Sequence, residues 1–77
     1  MKLDKFDKQI LQVIQRDGKI SNQDLAEQVG LSASPCLRRV KALEDAGIIV
    51  GYRGLVDAKK LGLGLIALIQ ISMDKHT

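Results

Sequence analysis

Two helical patterns follow each other closely in the stretch SNQDLAEQVGLSASPCLRRVKALEDAG, residues 21–47. Ser21 suits the N-cap of the first helix, and Gly30 can end that helix in the left-handed conformation. Leu31 can enter the core from the turn, and Ser32 is placed to cap a second helix. Two short helices joined by such a tight turn predict a helix-turn-helix motif.

The second of these helices has two possible starting points. Ser32 can be its N-cap, which puts Pro35 in the first turn, where its missing N–H costs little. Alternatively, Ser34 is the cap and Pro35 the first helical residue. At 100° per residue, an apolar arc predicts the buried side of this helix. The arc consists of Ala33, Cys36, Leu37, Val40, Leu43 and the following Gly47. The opposite arc consists of Ser34, Pro35, Arg38, Arg39, Lys41 and Ala42.

The charges of this helix run against its own dipole. Arg38, Arg39 and Lys41 come before any acid, and Glu44 and Asp45 arrive only in the last turn. A helix dipole favours acids at the start and bases at the end, by roughly 0.3 to 1 kcal/mol each. The helix before it and the helix at the start of the chain both obey this rule. The exception therefore favours a surface that binds an anion.

Double-stranded DNA is the predicted anion, because the second helix of a helix-turn-helix enters the major groove. The planar fork of arginine can bond phosphate oxygens or the O6 and N7 of guanine. A set of exposed polar groups at the start of the first helix can bond phosphate as well. The candidate DNA-binding residues are Ser21, Asn22, Gln23, Ser32, Ser34, Pro35, Arg38, Arg39, Lys41 and Arg53. The rival interpretations are a solvated basic face and a surface that docks another protein.

A third helix precedes the motif in LDKFDKQILQVIQRDG, residues 3–18. Its apolar residues recur at spacings of three and four and predict one buried stripe. They are Leu3, Phe6, Ile10, Val13 and Ile14. Asp4 suits the N-cap, Asp7 gives a short-armed capping box, and Gly18 can take a left-handed stop.

The residues after position 47 suggest β structure. IIVGYRGLVD predicts two short strands, 48–52 and 55–57, that form a wing. Tyr52 either contacts the DNA backbone beside Arg53 or packs under the hairpin. Residues 57–62 predict a helical turn or linker, and one further strand follows within 65–77.

The predicted fold is mainly α: a three-helix winged helix-turn-helix with a short β hairpin and a C-terminal strand. The predicted domains are 1–57 for DNA binding, 58–64 as linker and 65–77 as the start of an effector and oligomerisation domain.

Composition narrows the class of protein. The 77 residues allow one small core, and the net charge of +3 with a pI near 9.3 leans toward polyanionic partners. The single cysteine, Cys36, is predicted to be a core residue, and the single histidine, His76, lies far from it, so no metal or other cofactor is expected. No catalytic set is visible, which excludes an enzyme. The terminal apolar run is too short to span a bilayer, and a cytoplasmic, nucleoid-associated protein is expected.

Several spaced motifs resemble one known family. They are Leu3-Asp4-x-x-Asp7-x-x-Ile10-Leu11, Asp17-Gly18-Lys19-Ile20-Ser21, Leu25-Ala26-x-x-Val29-Gly30-Leu31-Ser32 and Arg39-Val40-x-x-Leu43-Glu44-x-x-Gly47-Ile48-Ile49. Residues 3–57, which contain them, resemble the amino-terminal domain of the Lrp/AsnC (leucine-responsive, feast/famine) transcription regulators. The resemblance implies a winged helix-turn-helix with residues 22–42 as the motif, and dimers or higher homo-oligomers.

The same resemblance implies sequence-specific control of amino-acid metabolism genes, in response to an amino acid bound by a separate carboxy-terminal domain. Residues 65–77 resemble the first strand of that domain, and the rest of it is expected to be missing from this sequence. Compared with the general helix-turn-helix pattern, Ala26 and Gly30 fit, but Arg39 stands where an apolar residue is common. This departure leaves open whether Arg38 or Arg39 faces the bases.

Overall fold

Four helices are present in residues 1–62, the part of the chain that the computed structural model describes. They are α1 (Lys5–Arg16), α2 (Asn22–Val29), α3 (Ala33–Asp45) and the single turn α4 (Ala58–Leu61). The three predicted helices and the helical turn predicted at 57–62 are thus confirmed. The strand predicted within 65–77 lies outside the described residues. None of the helices in residues 1–62 is long and apolar enough to cross a bilayer.

The start of α1 is fixed by a reciprocal pair of hydrogen bonds. The backbone N–H of Asp7 donates to Asp4 Oδ1 at 2.9 Å, and the N–H of Asp4 donates to Asp7 Oδ2 at 3.1 Å. This is the predicted capping box, made with a short aspartate arm. The prediction of a left-handed stop at Gly18 is wrong, because Asp17 is the C-cap of α1, with φ of −145°, and Gly18 has no positive φ.

The turn between α2 and α3 follows the predicted pattern. Ser21 Oγ accepts a hydrogen bond from the N–H of Asp24, and Gly30 adopts the left-handed conformation with φ of +78°. Ser32 is the N-cap position of α3, although its side chain makes no capping bond. Pro35 is therefore the third helical residue, and the alternative start at Ser34 is wrong.

The core lies where α1, α2 and α3 meet, and all three pairs of these helices are in contact. Its buried apolar residues are Ile10, Leu25, Ala26, Val29, Cys36, Leu43 and Ile49. Cys36 is fully buried, as predicted, and burial raises the pKa of its thiol. The buried arc of α3 is narrower than its apolar pattern, since Ala33 and Gly47 are exposed and Leu37 is 44% exposed.

The predicted hairpin is not found, because residues 1–62 contain no strand. The chain is held after α3 by the N–H groups of Ile48 and Ile49, which both donate to the carbonyl of Leu43. Beyond Ile49 the segment is exposed, with Val50 at 93% and Leu55 at 97%. A two-stranded hairpin needs more strands or a packed helix to be stable, and within the described part nothing covers these side chains.

Candidate nucleic-acid interface

Three polar side chains point outward from α3 on the side opposite the core. Ser34, Arg38 and Lys41 are spaced by four and three residues, so they lie on one side of the helix, and all three are exposed. Cys36 and Leu43 lie on the opposite side and are fully buried. We call Ser34, Arg38 and Lys41 the outward face of α3.

The outward face carries two positive charges, and the acid on the same side of α3 is Asp45, one turn after Lys41. The first turn of α3 contains no acid and its last turn no base, which confirms the reversed charge order. Both salt bridges within residues 1–62 are made by Arg39, so Arg38 and Lys41 are not paired with carboxylates of the described part. This face can therefore interact with an external anion.

Arg39 lies apart from the outward face, on the side of α3 that meets α1. Its Nη1 donates to both carboxylate oxygens of Asp4, at 2.6 and 2.7 Å, and to Asp7 Oδ1 at 3.2 Å. The guanidinium carbon also lies 5.1 Å from the centre of the Phe6 ring, within the range of a cation–π interaction. We call Asp4, Phe6, Asp7 and Arg39 the Arg39 cluster.

Contacts within the Arg39 cluster shift the pKa values of Asp4 and Arg39. The hydrogen bond from Arg39, with the backbone N–H of Asp7, lowers the pKa of Asp4 from 3.8 to about 2. The same contact with Asp4 raises the pKa of Arg39. Asp7 is only 4% exposed, so its carboxylate is a buried charge that needs a partner. Arg39 is thus engaged in contacts within the chain, although 30% of its side chain is exposed.

The helical pattern of α3 did not reveal this arrangement, because the partners of Arg39 lie 35 and 32 residues earlier in the chain. At 100° per residue, Arg39 falls at the edge between the polar and apolar arcs, where a neighbouring helix decides its surroundings. One signal was present in the sequence: Asp7 lies in the apolar stripe of α1, four residues after Leu3 and three before Ile10. An acid in a buried stripe requires a cation elsewhere.

Two of the three predicted binding residues at the start of α2, Ser21 and Asn22, make hydrogen bonds within the helix-turn-helix motif. The Ser21 hydroxyl accepts the capping bond already described. Asn22 Nδ2 donates to the carbonyl of Ala33 at 2.9 Å, which ties α2 to the first residue of α3, and Asn22 Oδ1 is buried. Gln23 is exposed. Of these three residues, Gln23 has the side chain best placed to meet an external phosphate.

The remaining candidates lie around the ends of α3. Ser32 is exposed, and Pro35 is half-buried in a shallow depression that Arg38 and Arg39 also line. The Tyr52 hydroxyl donates to Glu44 Oε2 at 2.8 Å, so this tyrosine packs on the body of the domain. Burial, and to a smaller extent Glu44, raises the pKa of Tyr52.

Arg53 is exposed and lines a groove between the end of α1 and residues 50–55. Arg16 and Lys19 line the same groove, which has a volume of about 620 Å³. Helical periodicity did not point to Arg16 or Lys19 as binding residues, because both are far from Arg53 in the sequence and only the fold brings them together. Asp17 lines this groove as well, so the three cations leave it with a net charge of +2, and we call this second basic surface the α1 groove.

Comparisons with known proteins agree with this architecture. The model of the winged helix-turn-helix DNA-binding family matches residues 3–50. The leucine-responsive regulatory protein of Rhizobium meliloti is 51% identical over 76 residues, which cover 99% of this chain and 48% of that protein. The chain spans about half the length of the curated relatives it matches.

Solved structures give the same result. A transcriptional regulator of Neisseria meningitidis in complex with L-Met superposes with a TM-score of 0.77 at 52% identity, over 82% of this chain and 41% of that one. An AsnC family transcriptional regulator from Agrobacterium tumefaciens superposes with a TM-score of 0.73 at 39% identity, over 77% of this chain and 39% of that one. These relatives are regulators and not enzymes. The chain therefore belongs to the winged helix-turn-helix DNA-binding family and, within it, to the Lrp/AsnC transcriptional regulators.

Proposed function

We propose that this chain binds double-stranded DNA by inserting α3 into the major groove, as a sequence-specific transcriptional regulator. The observation that carries the proposal is the outward face of α3, whose two cations are exposed and not paired within the described part of the chain. An acid in the first turns would repel phosphate, and none is present between Glu27 and Glu44.

The individual roles follow from exposure and chemistry. Arg38 is the side chain that we assign to a base edge, since it lies in the middle of the outward face and has a bidentate fork. Lys41 contacts phosphate as a point charge, and Ser34 offers a hydroxyl to a base or phosphate. Ser32 and Pro35 line the approach to the groove. Ser21, Asn22 and Gln23 present the first turn of α2 to a phosphate, with Gln23 donating from its side chain.

The α1 groove provides a second contact in this proposal. Arg53 lies beside Arg16 and Lys19, and three cations around one groove suit a phosphate backbone better than a single base. Binding there would set the orientation of the domain while α3 reads the sequence.

Salt dependence provides the test of this function. For a mixed-sequence duplex, the logarithm of the affinity should fall linearly with the logarithm of salt concentration, with a slope of about −0.9 per phosphate neutralised. Arg38→Ala should weaken binding to a preferred duplex, recovered from a random pool, by about 1 to 3 kcal/mol and relax the preference at one position. Lys8→Ala is the matched control, since it removes one exposed charge from α1.

Two results would contradict the proposal. No duplex binding at low salt, or binding with a flat salt dependence, would favour a module that docks another protein. Equal losses for Arg38→Ala and Lys8→Ala would mean that only net charge matters and that α3 has no special position on the duplex.

We also propose the finer features that belong to the family as a whole. The chain acts as a homodimer or higher homo-oligomer in the cytoplasm and controls genes of amino-acid metabolism. An amino-acid effector acts through a domain separate from residues 1–57, with 58–64 as the linker and 65–77 as the start of that domain. One supporting fact is that the Neisseria relative was crystallised with L-Met. Isothermal titration of amino acids into a chain that includes the effector domain would test this assignment.

A further inference from the structure

We infer that Arg39 is a positioning residue that holds α3 against the N-terminus of α1, and that it does not contact DNA. The inference rests on the proposed function, because the position of α3 matters for base recognition only if α3 enters the groove. It separates two adjacent arginines, Arg38 and Arg39, which the sequence alone left equivalent.

The contacts of Arg39 form a closed network. Its Nη1 lies within hydrogen-bond distance of both carboxylates that build the capping box of α1, and its guanidinium lies over Phe6, which comes between them in the sequence. The same aspartates therefore cap α1 and bind α3. Any shift of α3 relative to α1 would break several of these contacts together.

Asp7 explains why Arg39 cannot leave this network for a phosphate. Only 4% of Asp7 is exposed, and Arg39 is the cation beside its carboxylate. Removing one partner of a buried ion pair leaves an uncompensated charge, which is more costly than losing an exposed contact. If Arg39 turned toward a phosphate, the cost of leaving Asp7 unpaired would offset the new interaction.

The net charge of the cluster also argues against DNA at this side of α3. Arg39 is paired with Asp4 and Asp7, and with Lys5 beside the Phe6 ring the cations and carboxylates of this flank sum to zero, so it does not attract phosphate. Arg38 and Lys41 on the outward face, by contrast, are not paired within residues 1–62. The cluster therefore marks the edge of the DNA-binding surface. The charges on the two sides of α3 favour one orientation of the domain on the duplex.

Binding measurements on Arg39→Met test the inference, because methionine keeps an apolar stem beside Phe6 but removes the charge. Two probes are needed: a mixed-sequence duplex and a preferred duplex selected from a random pool with the wild-type chain. We expect the ratio of the two affinities to fall by about tenfold, equivalent to one well-made base contact, with the salt slope unchanged. Circular dichroism at the binding temperature establishes that each variant is folded.

Three outcomes would overturn the inference while leaving the proposed function intact. A salt slope reduced by about 0.9 with an unchanged affinity ratio would make Arg39 a phosphate contact. An unchanged slope and an unchanged ratio would reduce Arg39 to a stabilising role. Failure of Arg39→Lys to recover part of the ratio would show that the cation is not what positions α3. A wild-type chain that binds neither duplex would overturn the proposed function and the inference together.

Asp4→Asn provides a second, milder variant, since the Asp4 side chain is 50% exposed. If Arg39 positions α3, this variant lowers the affinity ratio in the same direction as Arg39→Met. If Arg39 instead contacts phosphate, loosening its carboxylate partner releases it toward DNA, and the variant binds both duplexes more tightly with a steeper salt slope. The two hypotheses are therefore distinguished by the ratio and the slope together: positioning predicts a lower affinity ratio at an unchanged salt slope, whereas a phosphate contact predicts a steeper slope.

Discussion

The ionised side chain of Asp4, at the start of α1, contributes to the stability of the fold in a way that depends on pH. Its pKa falls from 3.8 to about 2 in the folded chain, mainly because Arg39 donates a hydrogen bond to it. A depressed folded pKa stabilises the fold at pH values above the unfolded pKa, and this contribution is lost as the pH falls through the folded value. We expect the thermal midpoint of the wild-type chain to drop between about pH 4 and pH 2.

Asp4→Asn should show less of this drop. The variant starts with a lower thermal midpoint at neutral pH, and its curve should approach that of the wild type as the pH falls toward 2, where Asp4 is about half protonated in the folded chain. Arg39→Met is the companion variant, because it removes the main cause of the lowered pKa. Thermal unfolding followed by circular dichroism at a series of pH values measures all three chains. A constant difference between Asp4→Asn and wild type down to pH 2 would contradict this account.

The two arginines show how far single residues can be assigned from sequence. Arg38 lies on the exposed side of α3, where helical periodicity predicts it. Arg39 lies in the same polar arc, yet its surroundings come from α1. The exposure of a residue in the middle of an arc can be predicted from its own helix. The contacts of a residue at the edge of an arc depend on the neighbouring element.

The packing of α3 gives a prediction about two leucines of the same apolar arc. Leu43 is fully buried, whereas Leu37 is 44% exposed. Leu43→Ala should therefore cost about 2 to 5 kcal/mol of unfolding free energy, because it leaves a cavity in the core. Leu37→Ala should cost about 1 kcal/mol or less, since part of that side chain is already in water. The substitutions are matched in chemistry, and alanine preserves the helix in both.

Urea unfolding of the two variants would measure these losses directly. Equal values would mean that both leucines contribute alike to the core, as the apolar arc alone suggests. The proposed binding surface adds a reason to compare the two variants, because Leu37 adjoins the outward face and its substitution can affect DNA binding at a small cost in stability.

The helices could be predicted well because their signals are local. The caps of α1 and α2 are built from residues three positions apart, and the left-handed Gly30 lies at the end of its own helix. A hairpin cannot be predicted from local signals alone, because two strands are stable only when further strands or a helix pack against them. Residues 50–57 alternate poorly and have exposed apolar side chains, so a strand pattern there did not ensure a strand.

The whole domain combines a very small core with an uneven distribution of charge. The proposed DNA surface draws on α3, the start of α2 and the α1 groove, and no single one of these elements would bind a duplex tightly. The net charge of +3 is small, so the positions of the cations matter more than their number. The cations of the outward face and the paired charges of the Arg39 cluster lie on different sides of α3, so the charge distribution favours one orientation of the domain on DNA.

Self-association is the property that we expect from the exposed segment after α3. Val50, Leu55 and Val56 are 93%, 97% and 66% exposed, and the backbone around them forms no strand pairing within residues 1–62. Exposed apolar side chains on an extended segment favour pairing with another chain. A symmetric dimer would cover this segment on both copies and present two copies of α3 to the same face of a duplex, about 10 to 10.5 base pairs apart.

Sedimentation equilibrium over a range of concentrations would test this expectation with the wild-type chain and Leu55→Asp. We expect the wild type to dimerise and Leu55→Asp to shift toward the monomer, because a buried, unpaired carboxylate at the interface is unfavourable. Lys8→Ala is the control and should sediment like the wild type. On DNA, Leu55→Asp should lose the advantage of duplexes with two correctly spaced half-sites. A wild-type chain that stays monomeric at high concentration, or a Leu55→Asp chain that dimerises equally well, would show that this segment does not hold two copies together.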